Sequence, residues 1–106
     1  MKDLNSLMKQ AQAMQQKLAD AQAKIADLTV EGSSGGGMVK LALKGTGELS
    51  RVDLDESLLQ PGEGEVVADL IVAAHADAKR QLDARSAELM QRAAGPLAGM
   101  PGMPKF

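Results

Sequence analysis

The chain has no cysteine, no tryptophan and no tyrosine, and its one phenylalanine is Phe106. Without cysteine there is neither a disulfide nor a thiolate metal site, a usage that suits a reducing compartment. Without aromatic rings there is no platform on which the bases of a single-stranded nucleic acid could stack. A single histidine, His75, leaves little from which to build a catalytic or metal centre. No apolar run approaches the ~20 residues that span a bilayer. Residues 1–6 lead into an amphipathic pattern rather than a signal-peptide core, so the expected location is the cytoplasm. One domain of 106 residues must then build its core from Leu, Val, Ile, Met and Ala. So small an aliphatic core is marginal alone, which makes an oligomer the expected remedy.

What is present is periodic. Leu4, Leu7, Ala11, Met14, Leu18, Ala21, Ile25 and Leu28 recur at spacings of three and four, a heptad seam. Good helix formers fill the rest, and the spacing predicts one helix over 3–27. Gly35, Gly36 and Gly37 permit a chain reversal that side chains would forbid. Val39, Leu41 and Leu43 alternate with Lys40, Ala42 and Lys44, the period of a strand with one buried face. Strands are expected at 29–33, 38–44 and 48–54, a meander joined by short turns within 28–54. Leu49 breaks the alternation, so a bulge or a partner contact is expected there. Residues 55–59 suit a helical turn ended by Pro61-Gly62. A second helix is expected over 63–94, with Val67, Ile71, Ala74, Ala78, Leu82, Leu89 and Ala93 as its apolar stripe and Gly95-Pro96 as its stop. A mobile Gly/Pro/Met tail over 95–106 completes the chain.

The segment Val30 to Leu43, read with Leu7–Leu18 before it and Asp69–Lys79 after it, resembles the YbaB/EbfC family of bacterial nucleoid-associated proteins. Three separated segments match in the right order over nearly the whole length. The resemblance implies an α+β fold of α-β-β-β-α order, with a three-stranded antiparallel sheet and two long helices. It also implies a homodimer whose paired helices project from a shared sheet, and a place in the nucleoid with effects on transcription. The chain departs from the family pattern at Ala76-Asp77, where an Asn-Asp pair is common, and at Lys105, which separates Pro104 from Phe106.

Net charge is −2, but it is segregated. Residues 1–19 carry three basic residues against one acidic, and residues 79–106 carry five against two. Residues 20–78 carry four basic and eleven acidic residues. Because an antiparallel sheet separates the helices, the two basic segments project to the same side. Basic tips on an acidic body form an electrostatic footprint for double-stranded DNA phosphate. Lys2, Lys9, Arg85 and Arg92 are the first candidates, with Lys17, Lys79 and Arg80 second because they lie nearer the body. The plainer reading is a solvated helix surface, since Lys79 with Asp83 and Glu88 with Arg92 stand at i,i+4.

Other constellations fail. Residues 32–37 look like a phosphate loop, but no Gly-Lys-Ser/Thr follows and a strand comes next. His75 and Asp77 fall on different helix faces. Asp53, Asp55 and Glu56 lack a second cluster to complete a metal site. No enzyme, cofactor, small-molecule substrate or membrane association is therefore expected. The alternative to DNA is a protein-interaction module, in which the heptad helices and the Met-bearing tail engage a recombination or replication factor.

Overall fold

The structure is a computed structural model that describes residues 2–95, the side chain of Lys2 excepted; the expected tail lies, apart from Gly95, outside the described residues. Helix α1 spans Lys2–Ala26, strands β1, β2 and β3 span Thr29–Ser34, Val39–Lys44 and Leu49–Leu54, and helix α2 spans Gly64–Ala94. Both helices place an acidic residue in the first turn (Asp3, Glu65) and a basic one in the last (Lys24, Arg92), as their dipoles favour. The α-β-β-β-α order and the antiparallel meander are as expected, with sheet order β1-β2-β3.

Gly35, Gly36 and Gly37 all adopt positive φ, at 60°, 65° and 96°. They form a short 3-10 turn that joins β1 to β2. A second such turn, Glu56–Leu58, is opened by Asp55, whose carboxylate accepts from Ser57 N at 2.9 Å.

The bulge lies on β3. Leu43 pairs with Leu49 while Ala42 pairs with Arg51, so Ser50 is the extra residue. That insertion returns Leu49 to the face shared by Val52 and Leu54. The same face carries Val30 and Gly32 from β1 and Val39, Leu41 and Leu43 from β2. The opposite face is polar, and Arg51 there pairs with Asp53 and Glu31.

The core forms where α2 lies across the inner face of β1 and β2. Val39, Leu41 and Leu43 are buried beneath Ala74, Ala78 and Leu82, with Leu58 closing one end. The alanines are small enough for α2 to settle almost onto the backbone of β1. β3 is left outside this cover: Leu49 is 46% and Val52 37% exposed on the core's own side of the sheet.

The helices meet beyond the sheet. α1 packs on α2 in antiparallel fashion, so the start of α1 and the end of α2 lie on one side. The molecule measures 75 × 24 × 16 Å, and its radius of gyration is 20.1 Å, against about 13 Å for a compact chain of this length. Within the single chain the seam on α1 is covered over only part of its length. Ala21 is buried and Met14, Leu18 and Ile25 are partly covered, but Leu4, Leu7 and Ala11 are exposed. α2 ends before it can reach them.

An edge strand presents unpaired backbone groups, and α2 caps those of β1. Asp77 Oδ2 accepts from Ser33 N at 3.0 Å, and Gln81 Nε2 donates to Glu31 O at 2.9 Å. Gln81 also donates to Asp77 at 3.2 Å. The Ser33 N–H, joined by Gln81 and Arg80, holds the Asp77 carboxyl below its ordinary value. A carboxyl lowered in the folded state contributes stability above its unfolded pKa, and the contribution is lost as pH falls through the folded one. Asp77→Ala should therefore lower the melting temperature by several degrees at neutral pH. The gap between wild type and variant should start to narrow at about pH 4 and close as pH falls through the lowered pKa of the folded carboxyl. Calorimetry across that range checks it, and an equal gap at every pH would remove the charge from the explanation.

Candidate nucleic-acid interface

The basic residues fall into three groups. Lys79 and Arg80 stand where α2 still overlies the sheet, and each has an acidic neighbour: Lys79 Nζ is 2.6 Å from Asp83 and Arg80 is 3.5 Å from Asp77. An acidic neighbour this close lowers their attraction for an approaching phosphate.

The second group surrounds a groove between the helices. Lys17, Asp20, Ala21 and Lys24 of α1 face Leu89, Arg92 and Ala93 of α2 across a cavity of about 280 Å³. Lys17 and Lys24 are seven residues apart, two helical turns, so their side chains leave α1 on one face about 10 Å apart. Arg92 approaches from the other wall while bonded to Glu88. The one carboxylate in the groove, Asp20, accepts from Gln16 Nε2 at 3.0 Å. Three cations against one engaged carboxylate give this groove a net positive lining.

The third group is Lys9 and Arg85, both exposed. Lys9 lies on the length of α1 that runs past the end of α2. Among the described residues no ion pair engages Lys9, Lys17, Lys24 or Arg85. The side chain of Lys2 lies outside the described residues.

The structure therefore brings Lys17 and Arg92 together, sets Lys9 farther out on the same projection, and leaves Lys79 and Arg80 on the body. It adds Lys24, which the partition of charge had assigned to the acidic middle. The signal for Lys24 was its i,i+7 spacing from Lys17. Its proximity to Arg92 depends on how the helices are aligned, which no local spacing fixes.

His75 is exposed and lines a separate groove of about 270 Å³ with Gly45, Gly47, Lys79 and Asp83. It lies away from Asp77, as helix geometry requires. Among the described residues no three His, Asp or Glu side chains converge as metal ligands. No described helix is long and apolar enough to cross a membrane.

Comparison with known proteins adds an independent line. The model of the YbaB/EbfC DNA-binding family matches residues 1–97. A nucleoid-associated protein of Phenylobacterium zucineum is 83% identical over 106 residues, covering 100% of this chain and 99% of that one. One from Caulobacter vibrioides is 72% identical over 102 residues, covering 96% and 94%. Among solved structures, an uncharacterized protein of Helicobacter pylori superposes with a TM-score of 0.66 at 25% identity, over 90% of this chain and 97% of that one.

Proposed function

The chain belongs to the YbaB/EbfC DNA-binding family, and on that premise we propose that it binds double-stranded DNA through phosphate contacts, as a homodimer in the bacterial nucleoid. The observation that carries the DNA reading is the inter-helical groove, where Lys17, Lys24 and Arg92 gather beyond an acidic body. Lys9 and Arg85 extend the basic surface along the same projection, with Lys2 at its start. Lysine and arginine reach phosphate oxygens whatever the base sequence, so such contacts fix position and confer no sequence preference. The like charge of the sheet region turns the projecting end toward the duplex. Constraining DNA in this way would affect transcription without any chemistry at the site.

Fluorescence anisotropy with a labelled duplex tests this directly. Affinity should fall steeply with salt, with a log–log slope of roughly −4 to −7 for four to eight phosphates at about −0.9 each. Random and promoter duplexes should bind alike. A protein that ignores DNA at low salt would shift the weight to a protein partner.

The homodimer rests on β3. Leu49, Val52 and Leu54 share the face of the core strands; Leu54 packs in part against the core, but Leu49 and Val52 are left exposed. A second copy offers the same uncovered strip, as a two-fold contact requires. Light scattering at low micromolar concentration should give twice the 11.1 kDa chain mass. Val52→Asp should shift the protein to one chain mass, because burying an unpaired carboxylate costs several kcal/mol. A wild type of single-chain mass would sink the dimer and leave the DNA reading to its own test.

A further inference from the structure

The groove between the helices holds more than contact with a phosphate backbone requires. Below its cations lies an apolar floor of Ala21, Leu89 and Ala93, and Asp20 stands beside it. Ala21 is buried, and Leu89 and Ala93 are half-buried. We infer that this groove binds a nucleoside di- or triphosphate, which competes with duplex DNA for the same cations. The competition rests on the DNA reading, whereas the binding does not.

Three features lead there. The first is shape. A duplex presents a convex backbone, which meets the lysines along the outside of α1 and leaves the space below them unfilled. That space measures about 280 Å³, just under the roughly 300–1,000 Å³ usual for small-molecule sites. Lys17 and Lys24 on one wall and Arg92 on the other suit a compact anion held between them. Lysine heads converge on flexible four-carbon stems, so both can meet phosphates of one short chain. Arg92 bonds Glu88 through Nη2, and a guanidinium with five N–H donors keeps others for a ligand.

The second feature is the floor. Phosphate gains nothing from Ala21, Leu89 and Ala93. A base or ribose laid on them removes apolar surface from water, and the plane of a guanidinium such as that of Arg92 stacks on a ring face. The third feature is Asp20. A carboxylate repels any phosphate, so its place among three cations counts against a bare polyphosphate as the occupant. A ribose, by contrast, brings hydroxyl donors. A carboxylate has about four acceptor positions, and Gln16 Nε2 takes one of them at 3.0 Å. Among the described residues no ion pair engages Asp20, which leaves acceptor positions for those hydroxyls.

Calorimetric titration of the full chain with magnesium-free ATP, against inorganic tripolyphosphate at the same ionic strength, tests this. ATP should bind about tenfold more tightly, the gain expected from laying one ring on the floor. Amide signals of residues 17–24 and 89–93 should move with ATP while those of residues 45–47 stay in place. Leu89→Ser should bring the two anions to nearly equal affinity without weakening tripolyphosphate. Asp20→Ala should tighten tripolyphosphate and narrow the advantage of ATP, with helicity unchanged by circular dichroism. Equal affinity of the two anions for the wild type would overturn the proposal and leave only a basic surface. So would no binding of ATP, or shifts confined to residues 75–86 around the other groove. In the presence of labelled duplex, ATP should displace DNA at a lower concentration than tripolyphosphate does. A protein that binds no duplex at low salt fails the DNA reading, while the calorimetric ratio still decides the nucleotide site.

Discussion

Lys17→Glu combined with Lys24→Glu is expected to abolish detectable binding to duplex DNA at physiological salt while leaving the protein folded. Both residues are exposed and, among the described residues, no ion pair engages either, so no salt bridge is lost with them. Each chain loses two positive charges and gains two negative ones at the groove that must meet phosphate. In a dimer the change doubles. Loss of each phosphate contact removes about 0.9 from the magnitude of the salt slope. The variant's residual binding at low salt should therefore show a slope shallower by roughly 2 to 4. Lys79→Glu is the matched control. Lys79 is already paired with Asp83 over the body of the molecule, so its reversal should reduce affinity only slightly. If the Lys17/Lys24 variant binds as wild type does, the groove is a solvated helix surface and the basic projection is not the interface. Circular dichroism of the same sample separates that outcome from misfolding.

Gly32→Ala should cost stability on the order of 3 kcal/mol, the upper end of the overpacking range. A Cβ at this position would stand 2.1 Å from Ala74 O and 2.7 Å from both the backbone nitrogen and Cβ of Ala78. Backbone atoms on both sides cannot rotate away, so α2 must lift from β1. That movement strips cover from Leu41 and stretches the bonds from Asp77 and Gln81 that cap the strand edge. For a small domain whose whole stability is about 5–15 kcal/mol, the urea midpoint should fall by a large fraction. Gly36→Ala isolates the other way a glycine is needed. Its φ of 65° strains any side chain, but nothing lies within 4 Å, so its cost should be about 1–2 kcal/mol. Equal midpoints for the two variants would mean that α2 does not sit as close to β1 as the structure shows.

The long elements were legible because their signals are local. The seam of α1, the alternation of β2 and the stripe of α2 each repeat at the period of their own backbone. The break at Leu49 marked the bulge, since one inserted residue is what returns a leucine to the inner face. The exposed end of the seam was not legible. Leu4 and Leu7 carry the same pattern as Leu18 and Ala21, and only the point where α2 stops separates the covered from the uncovered half. Asp77 carries no local signal of its role. Its bond to Ser33 spans forty-four residues, and no spacing within a helix announces a partner on a strand. Lys24 was hidden for a related reason. Counting charge along the chain placed it in the acidic middle, whereas the antiparallel alignment of two helices placed it beside Arg92.

By itself, then, the sequence determined the kind and order of the elements, the aliphatic make-up of the core and the segregation of charge into basic ends and an acidic middle. These follow from backbone periodicity, glycine's conformational freedom and composition, all of which act within a few residues. Tertiary structure alone decided which half of the α1 seam is covered, which edge and which face of the sheet stay open, and which cations share a groove. Those outcomes depend on where α2 settles, and that is set by the near-contact of Ala74 and Ala78 with Gly32. The closeness that lets α2 seal β1 also keeps it from reaching across to β3.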